Sequence, residues 1–131
     1  MSADHFKQAR LLDLVHAGTA SGVQWSAETD DLDCNFVSWE GGEVIAAHVN
    51  AEVDVFIVIL SGGGRLSVNE AWTELLPGTA SLVPKNASRS IAAGDNGIAY
   101  ITVHKRRRRL MPGDAQTRTV AQRSLKEKTS S

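Results

Sequence analysis

Residues 53–68 read Val-Asp-Val-Phe-Ile-Val-Ile-Leu-Ser-Gly-Gly-Gly-Arg-Leu-Ser-Val. The first eight are β-branched or apolar almost throughout, as in a strand buried on both faces. Gly62, Gly63 and Gly64 read as the turn that ends it. Arg65 to Val68 then alternates polar with apolar, as a second strand would. The triple glycine is not a phosphate loop, because no Lys-Ser/Thr closes it and no helical pattern comes after it.

The same alternation of strand and turn extends in both directions. Downstream, Trp72 to Leu75 is strand-like and ends at Pro77-Gly78. Thr79 to Val83 is next, with Pro84-Lys85-Asn86 as a turn. Ser90 to Ala93, a turn at Gly94-Asp95-Asn96-Gly97, and a full strand at Ile98 to His104 complete the series. Upstream, Gly22 to Ala27 and Leu32 to Trp39 flank the acidic turn Thr29-Asp30-Asp31. The first fifteen residues are ambiguous: Phe6, Ala9, Leu12 and Val15 have helical spacing, yet Leu11 to Val15 also suits an edge strand. About nine short strands and no β-helix-β alternation predict an all-β sandwich or barrel and exclude nucleotide folds built on parallel sheets.

Composition narrows the class further. The chain has 131 residues, 42% hydrophobic and 22% charged, which suits a soluble globular domain. Its longest apolar run, Val55 to Leu60, is far short of the ~20 residues of a membrane span, and no secretory leader pattern opens the chain. Cys34 is the one cysteine, so an internal disulfide and a cysteine-rich zinc site are excluded and the cytoplasm is the expected compartment. The net charge of −1 hides an asymmetry: residues 1–104 hold five Lys/Arg against thirteen Asp/Glu, and residues 105–131 hold nine against two. The shift falls at the run Lys105-Arg106-Arg107-Arg108-Arg109. Beyond Met111 the large apolar residues thin out to Val120 and Leu125, and 111–131 reads as a flexible basic tail.

The order of pieces over roughly residues 20–105 resembles a small single-domain cupin. The first motif of that family is a glycine, five residues, His-x-His, three or four residues, Glu, six residues and a glycine. Here Gly42 is followed by five residues and His48-Val49-Asn50, and Gly62 closes the motif. The second is a glycine, five residues, Pro-x-Gly, two residues and His. Here Gly78 is followed by five residues and Pro84-Lys85-Asn86-Ala87-Ser88-Arg89. The stretch from His48 to Val55, the Pro84 to Arg89 segment and the final Tyr100 to His104 strand with its basic run resemble a group of bacterial cupins with degenerate metal motifs. The resemblance implies a cupin-type double-stranded β-helix barrel, placed over residues 5–110, and a homodimer; the tail over 111–131, read from composition, lies outside it. It implies no reaction.

Of the four family metal positions only His48 is kept. Asn50 stands for the second His and Arg89 for the motif-two His. The Glu position counts to Val55 or, with one extra residue, to Asp54. Strand alternation favours Asp54, because His48, Asn50 and Asp54 share parity, with a β-bulge near Asp54 absorbing the extra residue. An amide is a poor transition-metal ligand, and a guanidinium has no lone pair to give. The expected site is therefore a metal-poor polar pocket of His48, Asn50, Asp54 and Arg89 that takes a small, anionic molecule, with an Arg89–Asp54 ion pair as the plain structural reading. The alternative is a metal-dependent enzyme of isomerase or dioxygenase type, with a divalent metal held loosely by His48 and Asp54, helped by Glu52 or His104. A third reading, nucleic acid on the Lys105–Arg109 run, is disfavoured by the acidic body and the absence of a recognition module. His104 is expected at a solvated strand end, His5 and His16 at the surface, Cys34 as a buried apolar filler, and Trp25, Trp39 and Trp72 in sheet packing or an interface.

Overall fold

The computed structural model describes residues 6–17 and 20–106. The expected tail at 111–131, His5 and three of the five cations in the basic run lie outside these residues. After a short helix α1 (Leu11–His16) come seven strands: β1 (Gly22–Glu28), β2 (Leu32–Trp39), β3 (Val44–Val49), β4 (Val55–Val68), β5 (Ala71–Leu75), β6 (Ala80–Val83) and β7 (Ser88–Lys105). Every strand pair is antiparallel.

Two long strands organise the rest. The first half of β4 pairs with β6 on one side and with the second half of β7 on the other, while that half of β7 also pairs with β2, and β2 with β1. The second half of β4 pairs with β5 and with the first half of β7, whose other edge carries β3. Two half-sheets thus share one continuous β4–β7 ribbon. Its register is irregular between Ile59 and Ser61 and again between Gly62 and Gly64, where the ribbon bends.

This corrects the reading of the glycines as chain turns. Gly62–Gly64 and Gly94–Gly97 lie inside strands, so that four of the expected short strands merge into β4 and β7, while β3 is a strand that the sequence reading did not single out. The physical reason is close backbone approach. A Cβ on Gly62 would sit 2.1 Å from the Gly97 carbonyl oxygen, and one on Gly64 would sit 2.2 Å from that of Ala92. Gly62 also has φ +74°, in the left-handed region. A segment such as this serves a bend as well as a turn, and composition does not separate the two.

The core lies between the half-sheets. Val55, Ile57, Ile59, Ile98 and Tyr100 of one face Ile45, Leu66, Ile91 and Ala93 of the other. The glycine bends lie at one end of the barrel, and the two free ends of the ribbon pair as Val55 with His104 and Val68 with Arg89. The described part of the ambiguous N-terminus forms the six-residue α1, which has no side-chain cap and no buried residue.

Candidate functional site

The site lies near the free ends of the β4–β7 ribbon and is set by a bulge in β3. Ile45 pairs with Ile91 and His48 with Arg89, so three steps along β3 match two along β7. The extra residue falls at Ala46–Ala47. Without it Ile45 and His48, at odd separation, would face opposite sides. With it both face the interior beside Arg89, which is buried at 6% exposure.

The Arg89–His48 contact fixes the imidazole. Arg89 Nη2 donates to His48 Nε2 over 3.3 Å, since a guanidinium carries no acceptor. The other ring nitrogen, Nδ1, then carries the proton and donates to the Ala46 carbonyl at 3.3 Å. His48 is therefore the neutral Nδ1–H tautomer, with its lone pair directed at Arg89. Burial lowers the pKa of Arg89, and the nearby Tyr100 opposes that shift. Tyr100 is itself buried, and its hydroxyl accepts a 2.8 Å hydrogen bond from Trp39 Nε1. Burial pushes its pKa up to about 12 against the opposing pulls of Trp39 and Arg89.

His48, Arg89, Ser90, Tyr100 and Thr102 line a small cavity together with Ile45, Ile57 and Ile91. Its free volume of about 10 Å³ has room for about one water. Among the described residues no carboxylate lines it. Thr102 is 1% exposed, and its Oγ1 is buried without a hydrogen-bond partner among the described residues.

The other expected site residues fall elsewhere. Asn50 is half-buried just beyond β3. Its Oδ1 accepts from the Glu52 and Val53 amides at 3.0 and 3.3 Å, leaving Nδ2 buried without a partner among the described residues. Asp54 is exposed, and its Oδ1 accepts from the Lys85 amide at 2.8 Å. The Asp54–Arg89 pair is thus corrected. β3 ends at Val49 and β4 begins at Val55, and the bend between them, where Asn50 Oδ1 takes the Glu52 and Val53 amides, interrupts the alternation, so that Val53 and Val55 turn inward and Asp54 outward. The direct count to Val55 gives the inward position. Glu52 is exposed as well.

His104 is a second correction. It is 4% exposed, with Nδ1 donating to the Lys105 carbonyl at 2.9 Å. Ile98, Tyr100, Thr102 and His104 share the inward face of β7. That period of two was legible, but the basic run beside His104 favoured a solvated reading. Cys34 is half-buried, so it is less of a core filler than expected; burial, then Asp33, raises its pKa. Arg106, the last described residue of the basic run, donates to the Thr29 carbonyl at 3.0 Å and lies 3.9 Å from Glu28.

The donor set fits a cupin metal poorly. The His48 lone pair is directed at Arg89, the Asn50 carbonyl oxygen serves two backbone amides, Asp54 points away, and Arg89 holds a ligand position. Among the described residues no three His, Cys, Asp or Glu side chains gather in a metal-binding group. No described helix is long and apolar enough to cross a membrane.

No family model matches the chain, and no curated protein matches it. Solved structures do. A Bacillus halodurans protein aligns with a TM-score of 0.68 at 16% identity, over 80% of this chain and 84% of its own. A cupin-2 domain-containing protein from Shewanella frigidimarina aligns with a TM-score of 0.63 at 16% identity, over 75% and 94%. KdgF from a Halomonas species aligns with a TM-score of 0.59 at 23% identity, over 63% and 76%. At these identities the likeness is one of fold. With the bent β4–β7 ribbon and the all-β barrel, it gives this chain the fold of the small single-domain cupins.

Proposed function

We propose that this chain is a small-molecule-binding cupin whose barrel takes an anionic ligand at Arg89 and His48 without a resident transition metal. One observation carries the reading: the residue in the motif-two histidine position is a buried guanidinium that lines the cavity and donates to the one family histidine kept. A cation so placed repels a divalent metal and attracts an anion, and the low-dielectric interior strengthens both effects. The small cavity limits the ligand to what one or two atoms can insert. The single cysteine, which has no partner within the sequence for a disulfide, is in keeping with a cytoplasmic setting.

The test pairs elemental analysis of untagged protein with a thermal-shift series in formate, acetate and larger carboxylates. The expected result is substoichiometric metal and a rise in melting temperature with anion concentration that Arg89→Met removes. Stoichiometric zinc, iron or manganese retained through dialysis against a chelator would transfer the assignment to a metal-dependent enzyme.

A further inference from the structure

The run Val55 to Leu60 is apolar at every position, as a strand covered on both faces would be. Val55, Ile57 and Ile59 point into the core and are 1% exposed, whereas Phe56 on the outer face is 42% exposed. The strand register carries that outer face sideways. Phe56 lies between Leu82 of β6 and Val103 of β7, and Val103 lies beside Cys34 of β2; two residues on, Val58 lies beside Ile101. No charge interrupts these positions on four adjacent strands, and Leu82 is 67% exposed. Helix α1 sits toward the glycine-bend end, where Leu14 and Val15 line a cavity with Ser38 and Gly62, and leaves the Phe56 end uncovered. Four strands at about 4.8 Å and five residues along each at about 3.4 Å give roughly 300 Å² in projection. That is the size at which an apolar patch on one chain is often an interaction site, and it suits the apolar centre of an interface with a charged rim.

The rim identifies the occupant. Beyond Phe56 and Val103, on either side of the β4–β7 seam, stand Asp54 and Lys105, both exposed. Among the described residues neither is in an ion pair. The Lys85 amide donates to Asp54 Oδ1 at 2.8 Å and holds the carboxylate in place. Consider a second copy laid face to face about a two-fold axis parallel to the seam. The rotation exchanges the strands, so β4 of each chain lies over β7 of the other and the free ends meet. Asp54 then faces the partner's Lys105, Phe56 faces the partner's Val103, and Leu82 faces the partner's Cys34. A two-fold axis across the strands would instead set Asp54 over the glycine bends and leave both charges unmatched. One patch that complements itself is what a closed dimer requires.

We propose that the outer face of β6, β4, β7 and β2 is a homodimer interface, packed sheet on sheet about a two-fold axis along the β4–β7 seam, with Asp54 of each chain paired to the partner's Lys105. Sheet twist turns the two sets of strands by about 30°, an offset that the long lysine stem spans.

The experiment is sedimentation velocity on the full chain, from low micromolar to several hundred micromolar protein, with circular dichroism confirming the fold of each variant. Wild type should be a dimer. Phe56→Glu places a carboxylate at the centre of the apolar face and should give a monomer throughout the range; Leu82→Glu, at a more exposed position, reports in the same way where Phe56→Glu fails to fold. Lys105→Asp sets like charges across the axis and should weaken association roughly tenfold. Combining it with Asp54→Lys should restore association to within a few-fold of wild type. A monomeric wild-type chain at the highest concentration would overturn the proposal and assign the face to residues 107–131 or to a different protein. A dimer that survives both Phe56→Glu and Leu82→Glu would place the interface elsewhere and overturn it equally. A double charge exchange no better than Lys105→Asp alone would reject the axis along the seam and the pairing with it.

Discussion

The buried phenol of Tyr100 gives the most direct quantitative check on the barrel interior. The chain has one tyrosine, so tyrosinate absorbance reports on this residue alone. Burial pushes its pKa up to about 12 in the folded protein, against roughly 10 in an unfolded chain. A raised folded pKa means that the native state resists losing the proton. The associated stability is fully present below about pH 10 and is lost as pH rises through about 12. Two units correspond to about 3 kcal/mol. The assay is an absorbance titration with circular dichroism recorded at each point, repeated in concentrated urea. Native protein should yield tyrosinate near pH 12 and unfolded protein near pH 10. Arg89 lowers the Tyr100 pKa, so Arg89→Met should move the native titration higher still. Burial depresses the pKa of Arg89 itself, and its linkage runs in the opposite sense, with stability rising with pH. The spectroscopic midpoint is therefore a cleaner readout than the unfolding free energy. Tyrosinate appearing near pH 10 with the β-sheet signal intact would refute the placement of Tyr100 in a dry interior beside Trp39.

Three substitutions test other parts of the structure. Gly62→Ala combines a left-handed φ with a Cβ 2.1 Å from a carbonyl oxygen, and should cost roughly 2–5 kcal/mol in urea denaturation. Gly78→Ala has a φ of +90° and no neighbour within 4 Å, so its cost should stay near 1–2 kcal/mol; equal costs would dismiss the close ribbon contact. Asn69 and Glu70 connect β4 and β5 with φ of 50° and 71°, a turn that favours Asn-Gly, so Glu70→Gly should stabilise by about 1 kcal/mol and raise the melting temperature by roughly 4 °C. Asp54→Ala removes an exposed cap on the Lys85 amide and should cost about 1 kcal/mol with anion binding unchanged, whereas loss of binding would restore Asp54 to the pocket.

The fold was legible because glycines and prolines punctuate apolar runs, and the spacing from Gly42 to His48 and from Gly78 to Arg89 matches the cupin pattern. That spacing also set His48 opposite Arg89, as the β3–β7 register has them. The misplacement of Asp54 came from one residue. The alternation that sets His48 and Asp54 on one side does not run through the bend between β3 and β4, and nothing in Asn-Ala-Glu-Val-Asp marks where that bend resets it. His104 was misjudged for a different reason: the charge of its neighbours outweighed the period of two, although side chains alternate whatever charge lies beyond the strand end. Thr102 gave no signal at all, since a threonine in a strand is ordinary until the structure shows its hydroxyl buried without a partner among the described residues.

The shared ribbon also governs how the molecule comes apart. β4 and β7 each belong to both half-sheets, so neither half can melt and leave the other a complete set of pairings. Local opening is left to α1 and to the outer strands β1, β3, β5 and β6, whose amides should exchange first. The amides of the paired central strands are expected to exchange only through global unfolding. Val55 must meet His104 across roughly 50 residues of chain before the ribbon is complete, a non-local closure of the kind that slows folding. The two halves therefore behave as one cooperative unit, assembled late and lost together.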